Sequence, residues 1–223
     1  MTQKIIKGIV SKEDLLEVKE KGGSRSYNIR DLGPVPSVTS VLHRGFPPGY
    51  GLISWFIRST KEEIDKKREV SLKKGTELHE IFEKFVKANF NEYKLSGEER
   101  KKIKGAIQWA KEMKPKLVHS EVVIVYSDTE LSVAGRVDLV CVIDGLVWLV
   151  DLKTGQGIYE DYPCQVGIYS KALDLKRAGI LLLTNTKKGY KFTKVNIEEG
   201  FKGFRAAYQI YRYLEDKKYY EKN

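Results

Sequence analysis

The stretch Gly135-Arg-Val-Asp138-Leu-Val-Cys141-Val-Ile-Asp144-Gly145-Leu-Val-Trp-Leu-Val-Asp151-Leu152-Lys153 decides how this chain folds. Two apolar runs flank Asp144-Gly145, the dipeptide that most strongly favours a two-residue type I′ hairpin. That turn sets the register. Ile143 stands opposite Leu146, and counting back along both strands sets Asp138 opposite Asp151 and Arg136 opposite Lys153. Side chains alternate along a strand, so these four charged residues share one face. Two carboxylates directly across from each other repel and weaken a sheet. A divalent cation between them removes the penalty, and hard cations such as Mg²⁺ prefer oxygen ligands. The hairpin reads as half of a metal site.

The rest of the composition is consistent with a soluble globular chain. Its 223 residues suffice for one sizeable core, at 41% hydrophobic and 31% charged content. No apolar run approaches the roughly 20 residues that span a bilayer, so no membrane is expected as a partner. Met1 to Lys21 lacks the apolar core of a signal peptide and has no arginine for a transit peptide, so cytoplasmic residence is expected. Two cysteines, Cys141 and Cys164, provide neither a disulfide framework nor four thiolates for an iron–sulfur cluster. Cys141 falls on the strand face opposite Asp138 and reads as a buried structural thiol. A net charge of +10 favours a polyanionic partner, although basic proteins without one are common.

Along the chain, residues 1–50 read as irregular, with Gly22-Gly23 and Pro34, Pro36, Pro47 and Pro48 around an apolar segment that Ser37 caps. Residues 51–114 read as helical, including a capping box at Ser96-Gly-Glu-Glu99 and a stop at Pro115. Strands follow over Leu117–Tyr126 and Leu131–Ala134, then the hairpin. Asp161-Tyr-Pro163 opens a helix to about Lys176, with proline tolerated in the first turn. Gly179–Thr184 and Tyr190–Ile197 read as paired strands, and a last helix carries Phe201, Phe204, Tyr208, Tyr211 and Leu214 on one side. Helices, strands, helix, strands, helix in that order predict an α/β fold with a mixed sheet. The expected division is an irregular and helical N-terminal lobe over 1–74 and a core over 75–223.

Four further places carry chemistry. Lys153 shares the face of Asp151, where an ammonium positions and helps to deprotonate a water, or offsets charge on a phosphorane-like transition state. The competing reading is a solvated salt bridge, which the apolar neighbours Val147 and Leu149 disfavour. His79 lies on a helical stripe with Gly75, Phe82 and Val86, and Gly75 within a helix predicts close approach of another element. A lone inward histidine is more often a core residue than a ligand; beside the carboxylate pair it becomes a third metal ligand. Gln165 and Tyr169, at i and i+4 on the helix after the hairpin, project from one side, as ordinary helix decoration also does. Glu121 opens the first strand of the sheet, either as an ancillary acid or as a strand-end charge.

His79, the Gly-x-x-Asp of Gly135 to Asp138, Asp151-x-Lys153 and Gln165-x-x-x-Tyr169 together resemble the RecB-like branch of the PD-(D/E)xK nuclease superfamily. The resemblance covers residues 70–185, and the ordered set of four is more specific than any member. Pro36-Ser-Val-Thr-Ser-Val-Leu42 is also similar to a signature of mitochondrial-genome-maintenance exonucleases and of related phage and archaeal exonucleases. The resemblance implies a restriction-endonuclease-like core, with a central mixed sheet flanked by helices, that hydrolyses phosphodiester bonds. His79, Asp138, Asp151 and the carbonyl of Leu152 would bind Mg²⁺ or Mn²⁺. Lys153 would serve the attacking water, Gln165 and Tyr169 would steady the site, and Glu80, Glu121 and Arg136 would be ancillary. The cysteine count departs from the iron–sulfur members, so no cluster is expected.

The implied activity is an exonuclease on single-stranded DNA or DNA ends. A structure-selective endonuclease and a catalytically idle DNA-end or single-strand binding protein on the same fold are the alternatives. The chain has no helicase motor, so strand separation would come from a helicase or from recombination or replication proteins. Lys61, Lys66, Lys67, Arg68, Lys73, Lys74, Lys101, Lys102 and Lys104, interleaved with Tyr50, Trp55 and Phe56, predict a basic, aromatic funnel for a single strand. The competing reading is a solvated face with i, i+4 pairs Glu62–Lys66 and Glu63–Lys67.

Overall fold

A computed structural model describes residues 8–21 and 24–220, so Gly22-Gly23 lie outside the described residues. Five strands form the central sheet in the order β4-β5-β6-β7-β8. They are β4 (Lys116–Ser127), β5 (Ser132–Ile143), β6 (Leu146–Lys153), β7 (Ala178–Leu183) and β8 (Tyr190–Lys194). Neighbours run antiparallel except β6 and β7, which are parallel. A parallel pair needs a crossover. Here α6 (Asp161–Ala172) supplies it. Leu131–Ala134 is not a separate strand but the start of β5, which continues without interruption into the hairpin.

The hairpin turn has the predicted conformation: Asp144 at φ 50° and Gly145 at φ 75°. The ladder runs Ile143–Leu146, Val142–Val147, Cys141–Trp148, Val140–Leu149 and Leu139–Val150, as the turn requires. It then stops. Asp138 and Asp151 occupy the next position, where the two strands part, and Arg136 pairs with Val123 of β4 rather than with Lys153.

Helices cover both faces of the sheet. On one, α6 packs with α1 (Val38–Gly45) and α7 (Ile197–Tyr220) over Val140, Leu149 and Ile180. On the other, Phe82, Phe85 and Val86 of α3 (Lys61–Lys87) and Trp109 of α5 (Lys104–Met113) bury Leu139, Cys141, Val150 and Leu152. Cys141 is buried as expected, and burial pushes its thiol up to about 12. The helix expected over 97–113 is two, α4 (Gly97–Lys102) and α5, meeting at Ile103.

Local rules set the helix ends. Ser37 Oγ accepts the Ser40 N–H at α1, and Thr60/Glu63 and Ser96/Glu99 form reciprocal capping boxes at α3 and α4. The N-terminal segment departs from the irregular reading. β1 (Leu15–Lys21), β2 (Ser24–Ile29) and β3 (Gly33–Pro36) form an antiparallel meander whose Tyr27, Ile29 and Val35 pack on Ala134 of β5. The expected boundary at 74/75 falls inside α3.

Helix α2 (Tyr50–Arg58) and the first half of α3 stand apart from this core. From Lys61 to Glu77 no residue of α3 is buried, whereas Leu78, Ile81, Phe82, Phe85 and Val86 all are.

The turn allows a clean test. A side chain at Gly145 meets open space, so Gly145→Ala carries only the conformational penalty of a positive φ. It should lower stability by about 1 kcal/mol; urea unfolding should show a reduced midpoint and an unchanged m-value.

Candidate metal centre and its supporting network

The carboxylates meet where β5 and β6 part. Asp138 Oδ2 accepts the Leu152 backbone N–H at 2.7 Å, a bond that replaces the missing ladder contact. Asp151 is only 2% exposed, and its Oδ2 lies 2.9 Å from Lys153 Nζ. That contact is off the line of a hydrogen bond, so Oδ2 has a charged neighbour but no aligned donor. Burial first, and then Asp151, push the Asp138 carboxyl up to about 6, against His79, Lys153 and the Leu152 amide. Burial pulls the Lys153 ammonium down, but Asp151 and Asp138 outweigh it and leave it above the ordinary lysine range.

Lys153 is held from the other side by α6. Its Nζ donates to Gln165 Oε1 at 2.8 Å, and Gln165 Nε2 donates to Tyr169 Oη at 3.3 Å. Asp151, Lys153, Gln165 and Tyr169 thus form one polar line from the strand end into the core. Tyr169 is 2% exposed, and burial moves its phenol well above the ordinary range. Its ring lies against Gly135: a Cβ at 135 would stand 2.5 Å from the ring edge and 2.6 Å from Oη. The glycine of Gly-x-x-Asp is therefore the seat of the tyrosine of Gln-x-x-x-Tyr. Leu152 turns its side chain into the opposite core, so it meets the site only through its backbone.

Helix α3 brings His79 to the same place. Its side chain is 35% exposed and its Nδ1 lies 3.7 Å from Asp138 Oδ1. Gly75, one turn earlier, faces Thr154, whose Oγ1 would stand 3.7 Å from an added Cβ. That is ordinary contact, so the approach expected from this glycine is real but does not require it.

Glu121 does not open its strand: it lies in the middle of β4, whose first residue is Lys116. It falls at the β4 position facing Asp138, between the pairs Ser120–Leu139 and Val122–Val137, and has φ 52°. Its carboxyl is raised to about 7, by burial, then by Asp138 and Glu83, with Arg136 and Lys87 opposing. Arg136 Nη1 lies 3.8 Å from Glu121 Oε2.

Glu80 is exposed, and the α3 acid that acts on Glu121 is Glu83. Its place, one helical turn past His79, was the available signal. Tyr162 was also missed: Lys153 Nζ sits 4.7 Å from its ring centroid.

The basic side chains divide. Lys66, Lys67, Arg68, Lys73 and Lys74 are all exposed, and the pairs Glu62–Lys66 and Glu63–Lys67 do not form. Lys67 instead lies over Trp55, 4.5 Å from the ring centroid, and Glu63 caps α3. Arg68 stands about three turns before His79 and shares its face, while Lys66 and Lys73 point elsewhere. Lys102 is taken up by Glu77 and Glu98. The side chain of Tyr50 lies outside the described residues.

Among the described residues, no three His, Cys, Asp or Glu side chains close around a common point. Mg²⁺ does not need that. It keeps several waters and commonly takes one or two carboxylates from the protein. Crowded acids and an Asp151 oxygen without an aligned donor fit such a cation.

No protein-family model matches the chain, and no curated protein does. Among solved structures, similarity extends to the crystal structure of a protein designated SSO0001, at 13% identity and a TM-score of 0.35. It covers 46% of this chain and 52% of that one, so this chain spans about half of that protein's length. A similarity this low carries no argument. Among the described residues, no helix is long and apolar enough to cross a membrane.

Two outcomes follow from this geometry. Gly135→Ala drives a methyl into the Tyr169 ring and should cost about 1–3 kcal/mol, read by thermal or urea unfolding. The second concerns pH. Asp138 and Glu121 have folded-state values raised above their unfolded ones, so the folded protein holds more protons between roughly pH 4 and 7. Their contribution is full below the unfolded values and is lost as pH rises through about 6 and about 7. The metal-free melting temperature should fall across that window, and Mg²⁺ or Mn²⁺ should restore more of it at pH 8 than at pH 5. Asp151→Asn should abolish the metal-dependent rise.

Proposed function

We propose that this protein is a Mg²⁺- or Mn²⁺-dependent DNA nuclease on a restriction-endonuclease-like core, acting as an exonuclease on single strands or free ends. The observation that carries the reading is the line Asp151–Lys153–Gln165–Tyr169 beside Asp138. A fold gains nothing from crowding a buried and a half-buried carboxylate at one strand end, since like charges there repel. A catalytic centre does have a use for them.

Asp138, Asp151 and the Leu152 carbonyl would hold the cation, with His79 and Glu121 next to them. When bound, the cation polarises the phosphodiester and lowers the pKa of an attacking water. The Leu152 N–H fixes one Asp138 oxygen and leaves the other turned towards His79. Gln165 fixes the Lys153 ammonium, which is then pre-set to orient a water and to offset the charge that gathers on the phosphoryl oxygens. Tyr169 holds Gln165 from a position closed to solvent. These side chains need not move as charge develops, which is how preorganised groups contribute most.

End-labelled single-stranded, duplex and circular DNA, each with Mg²⁺ or Mn²⁺, test the proposal. Loss of linear strands with circles left intact is the expected result, and it should weaken steeply with salt. Lys153→Ala should bind DNA as the natural protein does while its cleavage falls by roughly 10²-fold or more. Cutting of circles would assign an endonuclease instead. No metal-dependent cleavage of any substrate would leave the idle binding protein as the reading.

A further inference from the structure

The loop from β6 to α6, residues 154–160, carries an aromatic side chain that the centre described above does not use. Tyr159 is 49% exposed, and its ring stands edge-on to Tyr162, with centroids 5.4 Å apart and planes at 83°. Tyr162 in turn lies 4.7 Å from the Lys153 ammonium. Two contact steps thus connect a solvent-facing ring to the residue that serves the attacking water. The arrangement is fixed locally, because the Tyr162 N–H donates to the Tyr159 carbonyl at 3.1 Å. Gly155 lies beside both rings; a Cβ there would stand 3.5 Å from Tyr162 Oη and 3.8 Å from the Tyr159 ring.

The chemistry around the ring narrows what it takes. Glu160 and Asp161 follow it directly, and two acids disfavour a phosphate at that point. What remains for the ring is a base. Every base has a π face, but only one outside a duplex presents it, so an exposed aromatic beside a phosphodiester site selects unpaired nucleotides without regard to sequence.

We propose that Tyr159, backed by Tyr162, is the stacking platform for the unpaired base of the nucleotide that flanks the reacting phosphate. This rests on the nuclease reading and specifies its substrate: ends whose terminal bases are free. Steady-state cleavage by the natural protein, Tyr159→Ala and Tyr159→Phe tests it on single-stranded oligonucleotides. One series keeps every base, and another carries one abasic nucleotide at each of the three terminal positions of either end. Tyr159→Ala should raise KM roughly tenfold and leave kcat within about twofold, whereas Tyr159→Phe should retain the natural KM. At one position, base removal should raise KM of the natural protein by a similar factor and have no further effect on Tyr159→Ala. An unchanged KM in Tyr159→Ala, or an abasic penalty undiminished by it, overturns the proposal. Fluorescence anisotropy with a labelled single strand separates the two readings. Should the natural protein cut nothing, the nuclease reading falls. Stacking of an unpaired base on Tyr159 then stands as a binding role alone if Tyr159→Ala binds the strand roughly tenfold more weakly and Tyr159→Phe does not, and it falls otherwise.

Discussion

Asp138 and Asp151 bring like charges to the rim of an apolar core, where the Leu152 amide, Lys153 and His79 meet them. The ladder between β5 and β6 ends at Leu139–Val150, while β5 goes on pairing with β4 and β6 with β7. Here the strands part, and Asp138 takes a backbone N–H from Leu152 instead of facing its counterpart directly. Asp151, more deeply buried, relies on the neighbouring lysine. Glu121 adds a third acid across β4, in a left-handed backbone conformation that places it out of the regular pairing. The crowding holds the Asp138 and Glu121 carboxyls above their ordinary range.

The parallel step of the sheet explains how so few residues assemble the centre. Because β6 and β7 run in the same direction, the chain must leave β6 at the end bearing Asp151 and Lys153 and return through α6. Gln165 and Tyr169 therefore arrive over Lys153 by topology, one turn apart on the helix side that faces the sheet. Helix α3 contributes from the opposite layer, where its buried second half is anchored by Phe82, Phe85 and Val86. His79 sits at the start of that buried half, where rigid packing meets the free extension. Strand, crossover helix and anchored helix thus fix the centre from three directions.

The hairpin was legible because Asp144-Gly145 admits few conformations and the apolar runs on either side admit few registers. The Ser96/Glu99 capping box and the Ser37 cap were legible for the same reason, since they follow from short side chains bonding to nearby amides, whereas the Thr60/Glu63 box was not read. The meander of β1 to β3 was not. Leu15–Lys21 is mostly charged, and Leu16–Glu20 are all exposed, so it shows no alternation of burial for a pattern to detect. Its pairing depends on β2 being sandwiched against Ala134, a tertiary contact. The parting of the strands at Asp138 also lies beyond turn arithmetic, which assumes an unbroken ladder and so put Arg136 across from Lys153. Choosing between Glu80 and Glu83 required the roll of α3 about its axis. The projection of α2 and the first half of α3 was hidden too, because helical spacing alone does not show that Leu52, Ile53, Val70 and Leu72 stand in solvent.

The Leu152 amide has a bearing on how this centre tolerates change over time. Its bond to Asp138 comes from the main chain, and the Leu152 side chain faces the other core. Apolar replacements at position 152 would be judged only on how they fill that core, and the donor would survive them all. Proline alone removes it, and proline is scarcely tolerated within a sheet. The contact that orients one half of the acid pair is therefore shielded from mutational drift, while its partners Lys153, Gln165 and Gly135 each stand one substitution from loss.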